Sequence, residues 1–100
     1  MLLQGIVDEE QQFNWDVGNI GHLARHGVSP GEAEEAILDP NAILLEIQEW
    51  DEERVESVGA TSGGRILVVV FTWRGEAIRP ITAYEAPVRV KKLYLEGEKV

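Results

Sequence analysis

The chain has no cysteine among its 100 residues, so disulfides, thiolate zinc sites and thiol nucleophiles are all excluded, and any catalysis falls to histidine, carboxylate, tyrosine or arginine. Its two histidines, His22 and His26, stand four residues apart, a spacing that puts both imidazoles on one face of a helix. The reference imidazole pKa of about 6.5 suits His26 to act as acid or base near neutral pH. Asp16 and Asn19 lie nearby in the same register, which also suits a metal. The glutamate of a zinc-protease helix is missing, however, and no third ligand is evident, so no metal or other cofactor is expected. Further on, Arg65 and Arg79 supply forked, permanently charged donors, and Tyr84 a phenol that donates or stacks.

Composition narrows the field. A hydrophobic share of 44% with 27% charged residues is that of a folded chain with one modest core, and the length suits one domain, residues 1–100. The longest apolar run, Ile66 to Phe71, falls far short of the roughly 20 residues that span a bilayer, and the N-terminus lacks a basic region and a cleavage site. The expectation is a cytoplasmic protein with no membrane partner. The net charge of −9 argues against unspecific nucleic-acid binding, which rests on phosphate neutralisation. That total hides a division. Residues 1–53 hold 13 acidic residues and one basic residue, Arg25, whereas residues 54–100 hold five acidic and eight basic ones. Such an asymmetry permits an anion site in the second half and an acidic face for a basic protein in the first. Trp50, set among Glu49, Asp51, Glu52 and Glu53, would repel RNA and suits a protein groove, so Trp50, Glu52 and Glu53 are candidate partner contacts. Trp15 and Trp73 offer either stacking surface or packing.

The elements that must position these residues follow from periodicity. Val17 to His26 reads as a helix with Ile20 and Leu23 inward, weakened by Gly18 and Gly21 and ended by Gly27. Ser29-Pro30-Gly31-Glu32 then combines an N-cap, a first-turn proline and a capping-box glutamate, predicting a second helix to Leu38 with Ala33, Ala36 and Ile37 inward. After Asp39-Pro40-Asn41 the pattern becomes extended. Ile43, Leu45 and Ile47 alternate as one buried face, and Trp50 to Glu53 reads as a connection. Arg54 to Thr61 is a second strand, Ser62-Gly63-Gly64 a turn, and Arg65 to Trp73 the central strand, apolar enough for burial on both faces. Ala77 to Tyr84 is a further strand whose Pro80 demands an edge or a bulge. Ala86-Pro87 opens a last helix with Val90, Leu93 and Tyr94 in its stripe. Leader residues 1–8 are either a short strand or loose. The fold class is α+β: two N-terminal helices, an antiparallel sheet of about four strands and a C-terminal helix.

Phe13-Asn14-Trp15-Asp16, Arg25-His26-Gly27-Val28-Ser29 with Glu32-Ala33, Glu53-Arg54 with Gly59, Gly64 to Thr72, and Ile78-Arg79 with Ile81-Thr82-Ala83 resemble, in order, the BrnT family of bacterial toxins over about residues 13–94. The resemblance implies a RelE-like fold, the toxin half of a type II toxin-antitoxin pair, and metal-independent RNA cleavage. It also implies neutralisation by a ribbon-helix-helix-like antitoxin and leaves a homodimer open. The chain diverges from the usual pattern, with Arg25 where the family has lysine, Tyr84 where it has a second arginine, and a C-terminal helix thinned of cations.

Cleavage of that kind uses the 2′-hydroxyl as nucleophile and asks the protein for a base, a cation on the developing phosphorane and an acid for the 5′-oxygen. The residue types that meet these needs are His26, Arg79 and Tyr84 as catalytic residues, with Arg25, Arg65, Arg89 and Lys92 as the RNA grip. Each also has a plainer reading. His26 would cap the first helix, Arg65 would be a solvated hairpin residue, Arg79 would pair with Glu53 or Glu56, and Tyr84 would pack. The alternative function is a noncatalytic member of the fold that binds a protein through its acidic half.

Overall fold

Asp16 and Ser29 start the first two helices by the same device. In the computed structural model, which describes residues 2–4, 10–49 and 52–97 and the side chains of 10–45 and 53–97, helix α1 runs Val17–Ala24 and helix α2 Pro30–Leu38. Each cap side chain accepts from the backbone N–H three residues on, and that residue's side chain, Asn19 or Glu32, accepts from the cap's own N–H. Both reciprocal boxes satisfy donors that a helix start leaves orphaned. Helix α1 is shorter than its apolar pattern suggested. Residues 25–27 form a turn in which Gly27 N–H donates to Ala24 O and Val28 N–H to Leu23 O, with Gly27 at φ +72°, the left-handed closure that favours glycine.

The strands are β1 Leu2–Gln4, β2 Ile43–Glu49, β3 Glu52–Ala60, β4 Ile66–Arg74 and β5 Ala77–Glu85, paired antiparallel in that order. Helix α3, Val88–Gly97, follows. The α+β architecture therefore stands, its four-strand meander extended at the β2 side by the short β1. β4 lies inside the sheet between β3 and β5 but is not its centre, since β1 makes β3 the middle strand. Glu52 and Glu53 belong to β3 and not to a connection, with Glu49 opposite Glu52. Pro80 fulfils both of its options, because β5 ends the sheet and its register shifts by one residue between the Phe71–Pro80 and Val70–Thr82 pairs.

Two clusters cover the two sheet faces. Leu23, Val28, Ala33, Ala36 and Ile37 of the helical layer pack with Leu67, Val69, Phe71, Ile78 and Ala83. On the other face, Val58, Val68, Ala86 and Tyr94 form a smaller cluster, and the Tyr94 hydroxyl donates to Asp39 Oδ2. Three expectations about inward faces change as a result. In β2 it is Leu44 that is buried, while Leu45 is 45% exposed, because the Leu44 face carries the helical layer and the other face is covered at one end. Ile20 in α1 and Leu93 in α3 are both exposed; Asn19 holds the inward place in α1. Gly59 explains itself by contact, since a Cβ there would lie 2.0 Å from the Ala36 carbonyl oxygen. No helix among the described residues is long and apolar enough to cross a membrane.

Candidate active site along the outer edge of β5

The edge of β5 is partly covered by the segment that precedes α1. Asn14 N–H donates to Ile78 O at 2.8 Å and Ile78 N–H to Gln12 O at 2.9 Å, so Phe13 forms a parallel bridge with Ile78. Asn19, buried in α1, continues this pinning: its amide donates to Asn14 O and to Pro80 O, both at 2.9 Å. A bulged strand with a proline leaves carbonyls that the ladder does not use, and here a helical asparagine takes one of them. The helix is thereby laid along β5 by polar contacts.

Arg79 emerges beside this seam. Its Nη1 donates to Asn14 Oδ1 at 2.6 Å and pairs with Asp16 Oδ2 at 3.0 Å. The expected alternative, a pair with Glu53 or Glu56, is corrected: the partners come from the N-terminal segment, which no local pattern ties to β5. The Arg79 hydrogen bond, reinforced by the Asn19 backbone N–H, holds the Asp16 carboxyl below the usual carboxylate range. Phe13-Asn14-Trp15-Asp16 thus works as a unit. Asn14 and Asp16 hold Arg79, Phe13 and Trp15 pack on the core, and the Trp15 indole donates to Glu34 at 2.8 Å.

From Arg79 a row of side chains leads along the helix. Arg79, Pro80 and Ile81 of β5 face Gly18, Asn19 and His22 of α1 across a cleft of ≈ 260 Å³. The His22 and His26 ring centroids are 5.6 Å apart and tilted by 58°. The His26 ring lies 6.5 Å from that of Tyr84. Both imidazoles are exposed, and neither hydrogen-bonds to a described group, so the capping reading of His26 does not hold: the α1 end is closed by backbone N–H groups instead. Tyr84 is half-buried, its ring packed against the α3-side cluster. His26, Tyr84 and Arg79, the three predicted catalytic residues, therefore share one edge, with His22 as the link between them.

The predicted cations divide. Arg65 is committed: Nη1 donates to Gly27 O at 3.0 Å and pairs with Glu32 at 2.8 Å, and Nε lies 3.5 Å from Glu85. These carboxylates raise its pKa, Glu32 foremost, and Arg65 in turn lowers that of Glu32. Half-buried, it is a clamp between the α1–α2 turn and the sheet, not the solvated hairpin residue of the plainer reading. Lys91 pairs with Glu85 at 3.2 Å and is the main cause of the lowered Glu85 pKa. Arg25 is exposed in the turn beside His26, and Arg89 and Lys92 are exposed on α3. Glu53 is exposed at the start of β3, whereas Trp50 and the Glu52 side chain lie outside the described residues. Trp73 stacks edge-on against Phe71 at 6.1 Å. Sequence reasoning gave Asn14 no role of its own, took Asn19 only as a neighbour of the histidines, and passed over the acid-base value of His22; the i, i+4 histidine spacing was the signal for the last.

Two short capped helices over an antiparallel meander, with unengaged imidazoles and an arginine along its last strand, define a small α+β protein whose candidate site lies on a sheet edge. A family model for the ribonuclease toxin BrnT of type II toxin-antitoxin systems matches residues 15–89, and the chain belongs to that family. The matched span contains the whole row from Asp16 to Tyr84. No individual curated protein is similar enough to match. Membership makes the chain a ribonuclease toxin by family and implies an antitoxin as partner.

Proposed function

We propose that the chain is a metal-independent endoribonuclease acting in the cytoplasm, with its site on the α1–β5 edge. The 2′-hydroxyl of the RNA attacks its own phosphodiester. His26 takes the proton, Arg79 meets the charge that develops on phosphorus, and Tyr84 stacks on a base or donates. Arg25, Arg89 and Lys92 hold neighbouring phosphates, and Arg65 braces the turn that carries His26. A ribbon-helix-helix-like antitoxin neutralises the toxin. The observation that carries this reading is the unengaged His26 ring beside Tyr84, on the same edge as a guanidinium. Fixed donors aimed at developing charge are the largest single contribution in reactions of this kind.

The Arg79–Asp16 pair favours a second reading, in which the fold has lost catalysis and binds a basic protein through its acidic half. One experiment separates them. Purified chain incubated with total RNA in EDTA is expected to leave 2′,3′-cyclic phosphate ends, and its induction in a bacterial host to arrest growth. Intact RNA together with normal growth would leave the binding reading in its place.

A further inference from the structure

His22 is a titratable ring in the cleft for which the mechanism above has no task. It faces Arg79 across ≈ 260 Å³ of open space and stands 5.6 Å from His26. Structural duties do not account for it. The carbonyls at the end of α1 are met by the N–H groups of Arg25, His26, Gly27 and Val28, and the His22 ring is exposed, with no hydrogen bond to a described group. An exposed, unengaged imidazole beside a guanidinium is placed for a ligand.

We infer that His22 is a second catalytic residue of this site, the general acid that complements His26 across the scissile phosphodiester of an RNA strand. The inference rests on the ribonuclease reading and adds what that reading lacks. Transphosphorylation moves two protons at two oxygens. The 2′-hydroxyl loses its proton to His26 as the 2′-oxygen to phosphorus bond forms, and the phosphorus to 5′-oxygen bond breaks as the 5′-oxygen takes a proton from the His22 imidazolium. The products are a 2′,3′-cyclic phosphate and a 5′-hydroxyl, and proton exchange with water resets both rings. A group efficient in either role titrates near the working pH, which an imidazole does and a phenol, with a reference pKa of about 10, does not. The spacing agrees: rings 5.6 Å apart are close enough for each to hydrogen-bond a different oxygen of one phosphate, at roughly 2.7–3.2 Å. The charged and titratable groups around the two rings are Arg79 and Tyr84 from β5, Arg25 from the turn after α1, and Asp16 at its start.

Rate against pH in EDTA tests this, with a short single-stranded RNA and with uridine 3′-(4-nitrophenyl phosphate), whose nitrophenolate leaves without a proton. On RNA the wild type is expected to give a bell-shaped profile. His22→Gln should lose about 10²-fold in kcat with little change in KM and flatten the alkaline limb. His26→Gln should flatten the acid limb. On the nitrophenyl ester His22→Gln should recover to within about threefold of wild type while His26→Gln stays slow, a rescue that a merely structural histidine would not give. A His22→Gln enzyme that keeps the full bell on RNA, or that is equally slow on both substrates, overturns the inference and leaves the ribonuclease reading standing. A wild type that cleaves neither substrate overturns both.

Discussion

Helices α2 and α1 lie side by side on the same sheet face and are held by opposite means. α2 buries Ala33, Ala36 and Ile37 completely and comes so close to β3 that only Gly59 fits beneath Ala36. α1 buries one apolar side chain, Leu23, and one polar one, Asn19, whose amide ties it to Asn14 and Pro80. Apolar packing is strong and undirected, so α2 serves as scaffold. Hydrogen bonds are individually modest but directional, and they fix α1 while leaving His22, and His26 in the turn after it, open to solvent. Of the proposed reactive groups, His22 therefore stands on the more weakly packed of the two helices, His26 in the turn that follows it, and Arg79 and Tyr84 on β5.

The largest effect belongs to the scaffold. Gly59→Ala should cost about 3 kcal/mol or more, because its Cβ would collide with backbone and not with a movable side chain. A denaturant melt measures it. A loss below about 1 kcal/mol would mean that α2 is not clamped to β3. Asn19→Ala comes next, removing two donors to carbonyls and one acceptor. We expect about 2 kcal/mol, or roughly 10 °C in Tm, with a disproportionate fall in RNA cleavage as α1 slides against β5. Stability lost in proportion to activity would erase the distinction between the helices.

The smallest effect is electrostatic. Asp16, Glu32 and Glu85 all have folded pKa values below the ordinary carboxylate range, owing chiefly to Arg79, Arg65 and Lys91 respectively. A depressed carboxylate stabilises the fold above its unfolded pKa, and that contribution disappears as pH falls through the folded one. The stability gained from these pairs should thus be intact above about pH 4.5 and shrink below about pH 4. Because all three pairs are partly open to solvent, which screens them, the change should be slight. Melts of Asp16→Asn and Glu32→Gln between pH 3 and pH 6, ranges of roughly this carboxylate window, should show a shallower decline than wild type; identical curves would count against both pairs.

Much of the architecture could be read from the sequence. Ser29-Pro30-Gly31-Glu32 specifies its helix start through local chemistry alone, and Gly27 its helix end. Pro80 announces an edge because a missing N–H has few places to go. What escaped depends on which elements meet. The alternation of β2 identifies two faces but not the better covered one, so Leu45 stood where Leu44 is buried. Arg65 and Arg79 look alike as strand arginines, yet one is closed between Glu32 and Glu85 and the other opens onto a cleft. Their partners lie 33 and 63 residues away in sequence in the pairs Arg65–Glu32 and Arg79–Asp16, beyond the reach of any local pattern.

That contrast between two arginines gives the central test. The initial rate of RNA cleavage in EDTA by folded Arg79→Ala, measured against wild type, should fall by roughly 10²-fold or more, on the order of 3 kcal/mol of transition-state stabilisation. Arg65→Ala should lose stability while retaining most of its rate per folded molecule. An Arg79→Ala chain that cleaves RNA at the wild-type rate would contradict the assignment of the β5 edge as the site of chemistry.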